Sequence, residues 1–490
     1  MALMLLLLIP VCAGLLCLAT RSRESWERLN LLAFALLVPV ALKVASDVIA
    51  RGSVSAMNGF LRADALSALV IGLTAFVALV CAVYAVGYFR ADARAGRIGE
   101  TQLRHYYVLT PLFVAAMLLV PLADSLGVMW VAAEATTLAS VWLVTFYNQK
   151  TSFEAGWKYI MIGSVGISLA LFGTVFTYYS AVGVLGADTH RGMNWSVLAG
   201  IAEKFDPKAM RLAFILTLLG YGTKAGLAPM HTWKPDAYAE APVPTAALLG
   251  AGFINCAIYC IARFDVLAVK CLGPAFPGKL LVGFGIASIL VAAPFILTQR
   301  NFRRILAYSS IDHAGIMVAA LGFGGKLGAL GAALHMLFHA VTKPLMFFCA
   351  GNVQQRFATP YFRKVRGVIH SLPWTGAMFL LATLAVTGTP PFSIFQSEFN
   401  ILSAALAAGR GWAALLFIAG VVTIFAGFLV HMVNLNLGAP NDGDSRLSEC
   451  PWKLGAMTLV TAVVIGLGFW LPAPLYQMVQ QTARIIEGGP

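Results

Sequence analysis

The sequence predicts an all-α, polytopic membrane protein of about 14 transmembrane helices, with two inverted five-helix repeats and two discontinuous helices. Hydrophobic residues make up 59% of the 490 residues and charged residues 11%, whereas a soluble domain carries about 25% charged residues. Apolar runs long enough to cross a bilayer follow one another along the chain. Two of these runs, five helices apart, are each interrupted by glycine and proline and each carry one charge well inside the run.

A transmembrane helix needs about 20 mainly apolar residues, and this criterion divides the chain into segments joined by short connections. The predicted segments are 3–20, 29–50, 64–89, 106–123, 125–146, 157–180, 211–231, 244–267, 279–298, 304–321, 327–352, 371–400, 411–436 and 454–474. The first segment resembles a signal peptide, but no basic region precedes its apolar run, so we expect a retained helix. The longest connection, 181–210, includes the charged residues Asp188 and Arg191.

These segments group into four regions. Residues 1–105 form an N-terminal part with three helices, and residues 106–267 form a first inverted repeat with helices four to eight. Residues 268–436 form a second inverted repeat with helices nine to thirteen, and residues 437–490 hold the last helix and a short C-terminal tail. The division into repeats depends on the two interrupted helices described below.

Lysine and arginine are more frequent in the odd-numbered connections between helices than in the even-numbered ones. Arg446, in the last of the odd-numbered connections, is one of the residues counted. Because positively charged loops stay in the cytoplasm, this predicts cytoplasmic odd connections and both termini outside, in a bacterial inner membrane. The formal net charge of +13 is spread over short loops between apolar runs. Contact with anionic lipid explains that charge better than nucleic-acid binding does.

The sequence contains no pattern typical of a cofactor or metal site. Its eight cysteines lie mostly in apolar runs, without a CxxC pair, and nothing near them completes a zinc or iron–sulfur ligand set. It has no Walker A motif and no GxGxxG in a suitable context. We therefore expect no cofactor, no metal and no redox or ATP site in this chain itself, so any redox chemistry would belong to partner subunits.

The seventh segment carries a lysine at the point where its helix is weakened. Lys224 is followed by Gly226 and Pro229 within an apolar run. A lysine at bilayer depth costs about 2.5–3.5 kcal/mol, so it is normally paired, hydrated or functional. A broken helix is tolerated there only where protein or a water-filled cavity serves the freed backbone groups. The alternative is that Lys224 reaches an interface and Pro229 simply ends the helix.

The twelfth segment repeats this combination. It reads TLAVTGTPPFSIFQSEFNIL, with interruptions at Gly388, Pro390 and Pro391 and a single charge at Glu398. Paired interruptions at matching places in two halves are typical of inverted-repeat transporters, whose site lies at the repeat interface. Chance placement of glycine and proline in apolar helices is the alternative.

Titratable residues inside the predicted helices indicate proton movement. Besides Lys224 and Glu398, those well inside the helices are Glu134, Lys158, Asp312, His313, His335, His339, Lys343 and His431. Spacing by four places His335, His339 and Lys343 on one helix face. Chains of Asp, Glu and His inside membrane segments are typical of proton relays, although a lone buried histidine is more often a hydrogen-bonded core residue.

Three stretches carry a resemblance to a known family. They are RADALSALVIGLTAFVALVCAVYAVGYF at 62–89, KAGLAPMHTWKPDAYAEAPVPTAALL from Lys224 and RRILAYSSIDHAGIM from Arg303. They resemble the antiporter-type subunits shared by respiratory complex I, Mrp-type cation/proton antiporters and membrane-bound hydrogenases. Within that family, EATTLASVWLVTFY, GYGTKAGLAPMHTW and FINCAIYCIARF are most similar to the F subunit of hydrogenase-4.

The resemblance implies fourteen helices in two inverted five-helix repeats and a role for each buried charge. Glu134 and Lys224 match a modulating ion pair between the fifth and seventh helices. His335, His339 and Lys343 match the central positions of the eleventh helix. Glu398 matches the terminal charged position of the twelfth helix.

Two departures from the family pattern bear on the mechanism. Asn255 stands where some members have a lysine or histidine in the eighth helix, so water or a neighbouring group would have to bridge the two halves. Lys234 and Tyr238 replace the usual leucine and histidine of HTWLPDAH. We expect these two residues to lie in a loop and to leave the mechanism unchanged.

The residues and the resemblance together predict a proton-translocating subunit of a hydrogenase-4-like or complex I-related complex. Partners would be other membrane subunits, a peripheral redox module reached through them, and the lipid bilayer. Three alternatives stay open: an Mrp-type sodium/proton antiporter subunit, a coupling subunit of an inorganic-carbon uptake system, and a membrane anchor without transport.

Overall fold

The computed structural model describes residues 1–185, 192–440 and 448–489, which form α-helices and one short antiparallel hairpin. The charged residues Asp188, Arg191 and Arg446 lie outside the described residues. The helices are α1 (Ala2–Ala19), α2 (Arg23–Arg51), α3 (Ala65–Arg94), α4 (Glu100–Leu122), α5 (Leu126–Val144), α6 (Lys150–Leu185), α7 (Trp195–Ile201), α8 (Pro207–Ala225), α9 (Trp233–Glu240), α10 (Val243–Ala247), α11 (Ile254–Leu272), α12 (Ala275–Thr298), α13 (Phe302–Phe323), α14 (Gly325–Phe357), α15 (Val368–Ser371), α16 (Pro373–Val386), α17 (Ser393–Ala407), α18 (Gly411–Leu437), α19 (Pro451–Phe469) and α20 (Ala473–Ile486).

In the part of the chain that the structure describes, 12 helices are long and apolar enough to cross a membrane. One of them, Val243–Leu272, consists of α10, a π-helical turn at Leu248–Phe253 and α11. The predicted all-α membrane class is therefore confirmed. Three spans are buried along their whole apolar stretch: Val243–Leu272, α13 and α14. The outer spans α1, α2, α6, α18 and α19 bury at most 39% of theirs.

Two further apolar segments are interrupted helices, at the positions where the sequence predicts breaks. The helix α8 ends at Ala225, where Gly226 adopts a left-handed φ of 73°, and α9 begins only at Trp233. Likewise α16 ends at Val386, Gly388 has a φ of 67°, and α17 begins at Ser393. Glycine is favoured at both positions because this backbone region is costly for other residues. The total of fourteen spans holds if both segments cross the membrane, and the repeat boundaries stay a prediction.

Small residues bring neighbouring helices into close contact. Along α12 and α13, a Cβ added at Gly285 would lie 2.6 Å from both Ala319 N and Gly315 O. Along α6 and α8, a Cβ at Gly220 would lie 2.5 Å from Ala170 N. Membrane helices associate through such close backbone packing, because apolar side chains gain little by leaving lipid. The second contact holds α8, and with it Lys224, against α6.

Two elements differ from what the sequence predicts. The predicted C-terminal tail contains α20, which packs against α3 and α14 with Met478, Val479, Thr482 and Ala483 buried on one side. This helix is too short and too polar outside that face to meet a span criterion of about 20 apolar residues. A hairpin, β1 (Ser53–Ala56) with β2 (Leu61–Asp64), joins α2 to α3.

The close contact of α12 with α13 predicts opposite effects for two neighbouring glycines. Gly285→Ala should destabilise the protein by about 1–3 kcal/mol, because the new methyl group has no space. Gly283→Ala is the matched control, since nothing lies within 4 Å of its Cβ position. In that variant the better helix propensity of alanine should leave stability unchanged or raise it. Thermal unfolding of the detergent-solubilised protein measures both, and equal midpoints for the two variants would contradict the packing argument.

Candidate functional site

A buried ion pair joins α5 to the broken end of α8. The Lys224 side chain is 3% exposed, and its Nζ lies 3.0 Å from Glu134 Oε2, whose side chain is 20% exposed. The same ammonium donates to the Thr137 hydroxyl. The indole of Trp233 donates to the carbonyl of Thr223 over 2.9 Å, which ties the start of α9 to the last turn of α8. The lysine is thus held at a helix end that adjacent protein supports.

A second group of buried residues follows α14. His335, His339 and Lys343 are all 0% exposed and lie on one side of the helix. Lys343 Nζ donates to the Ser309 hydroxyl of α13 over 2.8 Å. Because a buried ammonium needs hydrogen-bond partners, this contact fixes where the Lys343 amine lies.

His313 on α13 and His335 on α14 form a hydrogen-bonded pair, with Nδ1 of His313 2.9 Å from Nε2 of His335. The other ring nitrogen of His335 lies 2.9 Å from the Ser397 hydroxyl of α17. The His339 ring lies near that of His313, with centroids 4.9 Å apart and the ring planes tilted by 45°. A neutral imidazole donates with one nitrogen and accepts with the other, so His313, His335 and Ser397 form a hydrogen-bonded chain from α13 to α17. We call His313, His335 and His339 the histidine row.

Glu398 lies beside the break between α16 and α17, directly after Ser397. A Cβ at Gly388 would lie 2.1 Å from Glu398 Oε2, so the glycine leaves the space that this carboxyl group occupies. A cavity of about 300 Å³ adjoins it, lined by the backbone turn Thr387–Pro390, Glu398 and apolar side chains such as Phe417. The acidic group of the twelfth segment therefore lies beside this largely apolar surface pocket and directly after Ser397, which contacts His335.

Asn255 is buried in α11 and faces α14. Its Nδ2 donates to Ala251 O over 3.0 Å and lies 3.4 Å from Met336 O. Within the described residues, neither its side-chain oxygen nor either ring nitrogen of His339 has a hydrogen-bond partner. Buried polar atoms normally have partners, so ordered water is expected between α11 and the histidine row.

The prediction that Lys234 and Tyr238 lie in a loop is wrong. Lys234 is in α9 and is 0% exposed, and its amine donates to Ala225 O and lies 3.4 Å from Ser310 O. Tyr238 is also buried and donates to Leu249 O in the π-helical turn over 2.9 Å. The reason is that α9 returns between α6 and α13 after the break, so this motif lies inside the protein.

Two residues of the predicted titratable set lie at the edge of the protein. Lys158 is 43% exposed and pairs with Glu154 at 2.6 Å and with Asp236 at 3.0 Å. His431 donates from Nε2 to Leu297 O over 3.1 Å in an exposed position. Neither residue joins the buried row, because both lie near helix ends where charges reach the surface.

The structure also contains a buried ion pair that we did not single out from the sequence. Arg263 of α11 lies 2.7 Å from Asp64 at the end of β2, and its guanidinium lies 4.2 Å from the ring centre of Trp195. Burial raises the pKa of Asp64 and the guanidinium lowers it, with a net value below the usual range. The available signal was that Arg263 and Asp265 fall within the predicted eighth segment.

Comparison with known proteins places this geometry in a family. A family model described as NADH:quinone oxidoreductase/Mrp antiporter, TM, matches residues 123–424. A hydrogenase-4 component F homolog from Methylacidiphilum infernorum is 37% identical over 430 residues, which are 88% of this chain and 89% of that protein.

Two solved structures share the fold. One is a chain of the membrane-bound sulfane sulfur reductase, an archaeal respiratory membrane complex, with a TM-score of 0.88 at 22% identity. The match covers 99% of this chain and 97% of the reductase chain. A chain of the Mrp complex from Dietzia sp. DQ12-45-1b has a TM-score of 0.85 at 20% identity, with the same coverage. The resemblance seen in the sequence motifs is confirmed, and the chain belongs to the NADH:quinone oxidoreductase/Mrp antiporter family of transmembrane proteins.

Proposed function

We propose that this chain is a proton-translocating membrane subunit of a hydrogenase-4-like or complex I-related complex. The observation that carries this proposal is the series of buried titratable groups between the two broken helices. It begins at the Glu134–Lys224 pair, continues through Lys343 and the histidine row, and ends at Glu398 beside its cavity. Buried ionisable side chains are costly in a membrane, and rows of them mark ion and proton paths.

The names of similar proteins support assembly with other subunits. The relative from Methylacidiphilum infernorum is a component homolog of hydrogenase-4, and both similar solved structures are membrane complexes. By analogy, this chain would bind further membrane subunits and, through them, a peripheral redox module. The sequence itself has no cysteine cluster typical of an electron carrier. Energy would therefore arrive from the partners as a shift of charge.

In the proposed path a proton moves from the cytoplasm to Lys224 and passes Asn255. It then reaches His339, Lys343 and His335 on α14 and leaves outward past Glu398. The ion pair would control the first step. While Glu134 lies against Lys224, the ammonium has a counter-charge. Separation of the two would leave that buried ammonium uncompensated, and release of its proton would remove the cost.

The orientation and the repeats belong to the same proposal. We infer a bacterial inner membrane with both termini outside, because lysine and arginine are more frequent in the odd-numbered connections. The interrupted segments α8/α9 and α16/α17 stand five spans apart, so they would run in opposite directions through the membrane. This relation supports repeats at 106–267 and 268–436 with the titratable row between their breaks.

The ion pair generates a prediction about stability. Glu134→Gln should destabilise the protein by up to about 3–5 kcal/mol, because it leaves the buried ammonium without its counter-charge. Lys224→Met should cost less, since Glu134 is partly exposed and its charge can be hydrated. The double variant should be more stable than the sum of the single effects predicts. Thermal unfolding of all four proteins gives the coupling energy, and additive effects would contradict the pair.

The row itself generates a prediction about transport. Lys343→Ala and Glu398→Ala should each lower proton uptake into inside-out vesicles by about 100-fold or more, because each removes a positioned proton-transfer group. Native gels should show unchanged amounts of the assembled complex. His431→Ala is the control, as this histidine is titratable but lies outside the row.

The outcomes of that experiment separate the alternatives. Normal uptake by Lys343→Ala would remove the central step of the path. Uptake that depends on sodium would favour an Mrp-type sodium/proton antiporter subunit. If both Lys343→Ala and Glu398→Ala leave transport unchanged, the result would favour a membrane anchor. Proton uptake that is coupled to bicarbonate instead of electron transfer would favour a carbon-uptake module.

A further inference from the structure

We propose that Lys234 carries the proton between the two halves of the path, at the place where Asn255 supplies no transferable proton. This inference rests on the proposed function and adds one residue to it. The side-chain amide of Asn255 can orient a water molecule, but it does not take up or release a proton at physiological pH. A proton that moves from Lys224 to Lys343 therefore needs another carrier near the centre.

The position of Lys234 meets that need on both sides. Its amine donates to the carbonyl of Ala225, the residue directly after Lys224. It also lies 3.4 Å from the carbonyl of Ser310, the residue directly after Ser309. The Ser309 hydroxyl in turn accepts from Lys343 Nζ over 2.8 Å. The amine of Lys234 thus lies between the backbone neighbours of the two lysines that flank the gap.

The break in the seventh segment makes this position possible. A Cβ at Gly226 would lie 2.8 Å from Cδ of Lys234 and 2.9 Å from both its Cε and its Nζ. Only a glycine leaves room for the amine beside the end of α8. The end of a helix also presents carbonyl groups without partners, which accept from an ammonium. The sequence therefore provides both a space and acceptors for a charged amine inside the membrane domain.

The charges around Lys234 favour transient protonation. Among the described residues, no carboxylate lies within 4.0 Å of its amine, whereas Lys224 has Glu134. Lys343 and His339 of α14, and His231 in the break, are close enough to interact with Lys234 electrostatically, and the Tyr238 ring centre lies 5.8 Å away. Two ammonium groups in a low-dielectric region repel each other, so protonation of Lys343 and of Lys234 would alternate.

A purely structural role is the competing explanation. In that case Lys234 would only cap the carbonyl groups at the end of α8, which requires a donor and a positive charge. An arginine supplies both, but its guanidinium does not release a proton in proteins. A lysine moved to position 255 cannot cap α8, yet it would restore a transferable proton in the eighth helix. These two substitutions distinguish a cap from a carrier.

The test uses the intact complex in inside-out vesicles, supplied with NADH or with hydrogen, and measures proton uptake per electron transferred. Lys234→Leu should lower this ratio by about 100-fold or more, while native gels show an assembled complex. The double variant Lys234→Leu, Asn255→Lys should pump again, whereas Lys234→Arg should not. Where Lys234→Leu fails to assemble, Lys234→Met, which keeps a long unbranched stem, replaces it in both the single and the double variant.

The inference and the proposed function fail in different ways. Normal pumping by Lys234→Leu or by Lys234→Arg overturns the carrier role, and so does an assembled double variant that does not pump. In each of these cases Lys343→Ala still stops pumping if the proposed function holds. A wild-type complex that moves no protons with either electron donor overturns the proposed function itself.

Discussion

The constraint behind this structure is the cost of placing charge inside a membrane without compensation. The protein meets it by arranging its spans in two shells. The spans Val243–Leu272, α13 and α14 are buried along their whole apolar stretch. His313 lies in α13, and His335, His339 and Lys343 lie in α14. Outer spans such as α1 and α19 expose apolar side chains instead. The polar interior is therefore surrounded by protein, which supplies hydrogen-bond partners to Lys224, Lys234 and Lys343.

The two broken helices have the same local arrangement at their breaks. In each break a glycine with positive φ leaves space that an ionisable group from the following helix occupies. Gly226 adjoins the amine of Lys234, and Gly388 adjoins the carboxyl group of Glu398. A side chain at either glycine would displace that group. The interruptions thus provide more than free backbone groups, because they set where an ionisable head group lies within the membrane domain.

The sequence predicts the spans, both breaks and most of the row, because hydropathy, glycine, proline and isolated charges are local signals. It does not predict features that depend on neighbouring helices. The hydrogen bond between His313 and His335 joins two helices, and the burial of Lys234 depends on the return of α9 into the protein. Arg263 was missed for a related reason: a charge near the end of a span looks like a loop residue until its partner Asp64 is placed beside it.

A pump needs a path for protons and also a barrier that prevents their passive return. The buried lysines of the proposed path differ in the groups that stabilise their protonated form. Lys224 has a carboxylate partner at 3.0 Å, and Lys343 has a hydroxyl partner at 2.8 Å with Asp312 within electrostatic range. Lys234 has carbonyl acceptors and one cationic neighbour, Lys343. On our proposal, the proton is therefore least stable at Lys234, in the centre of the path. Passive proton flow in either direction has to pass through the state in which Lys234 is protonated. A charge shift that neutralises Lys343 lowers the energy of that state at the moment of transfer.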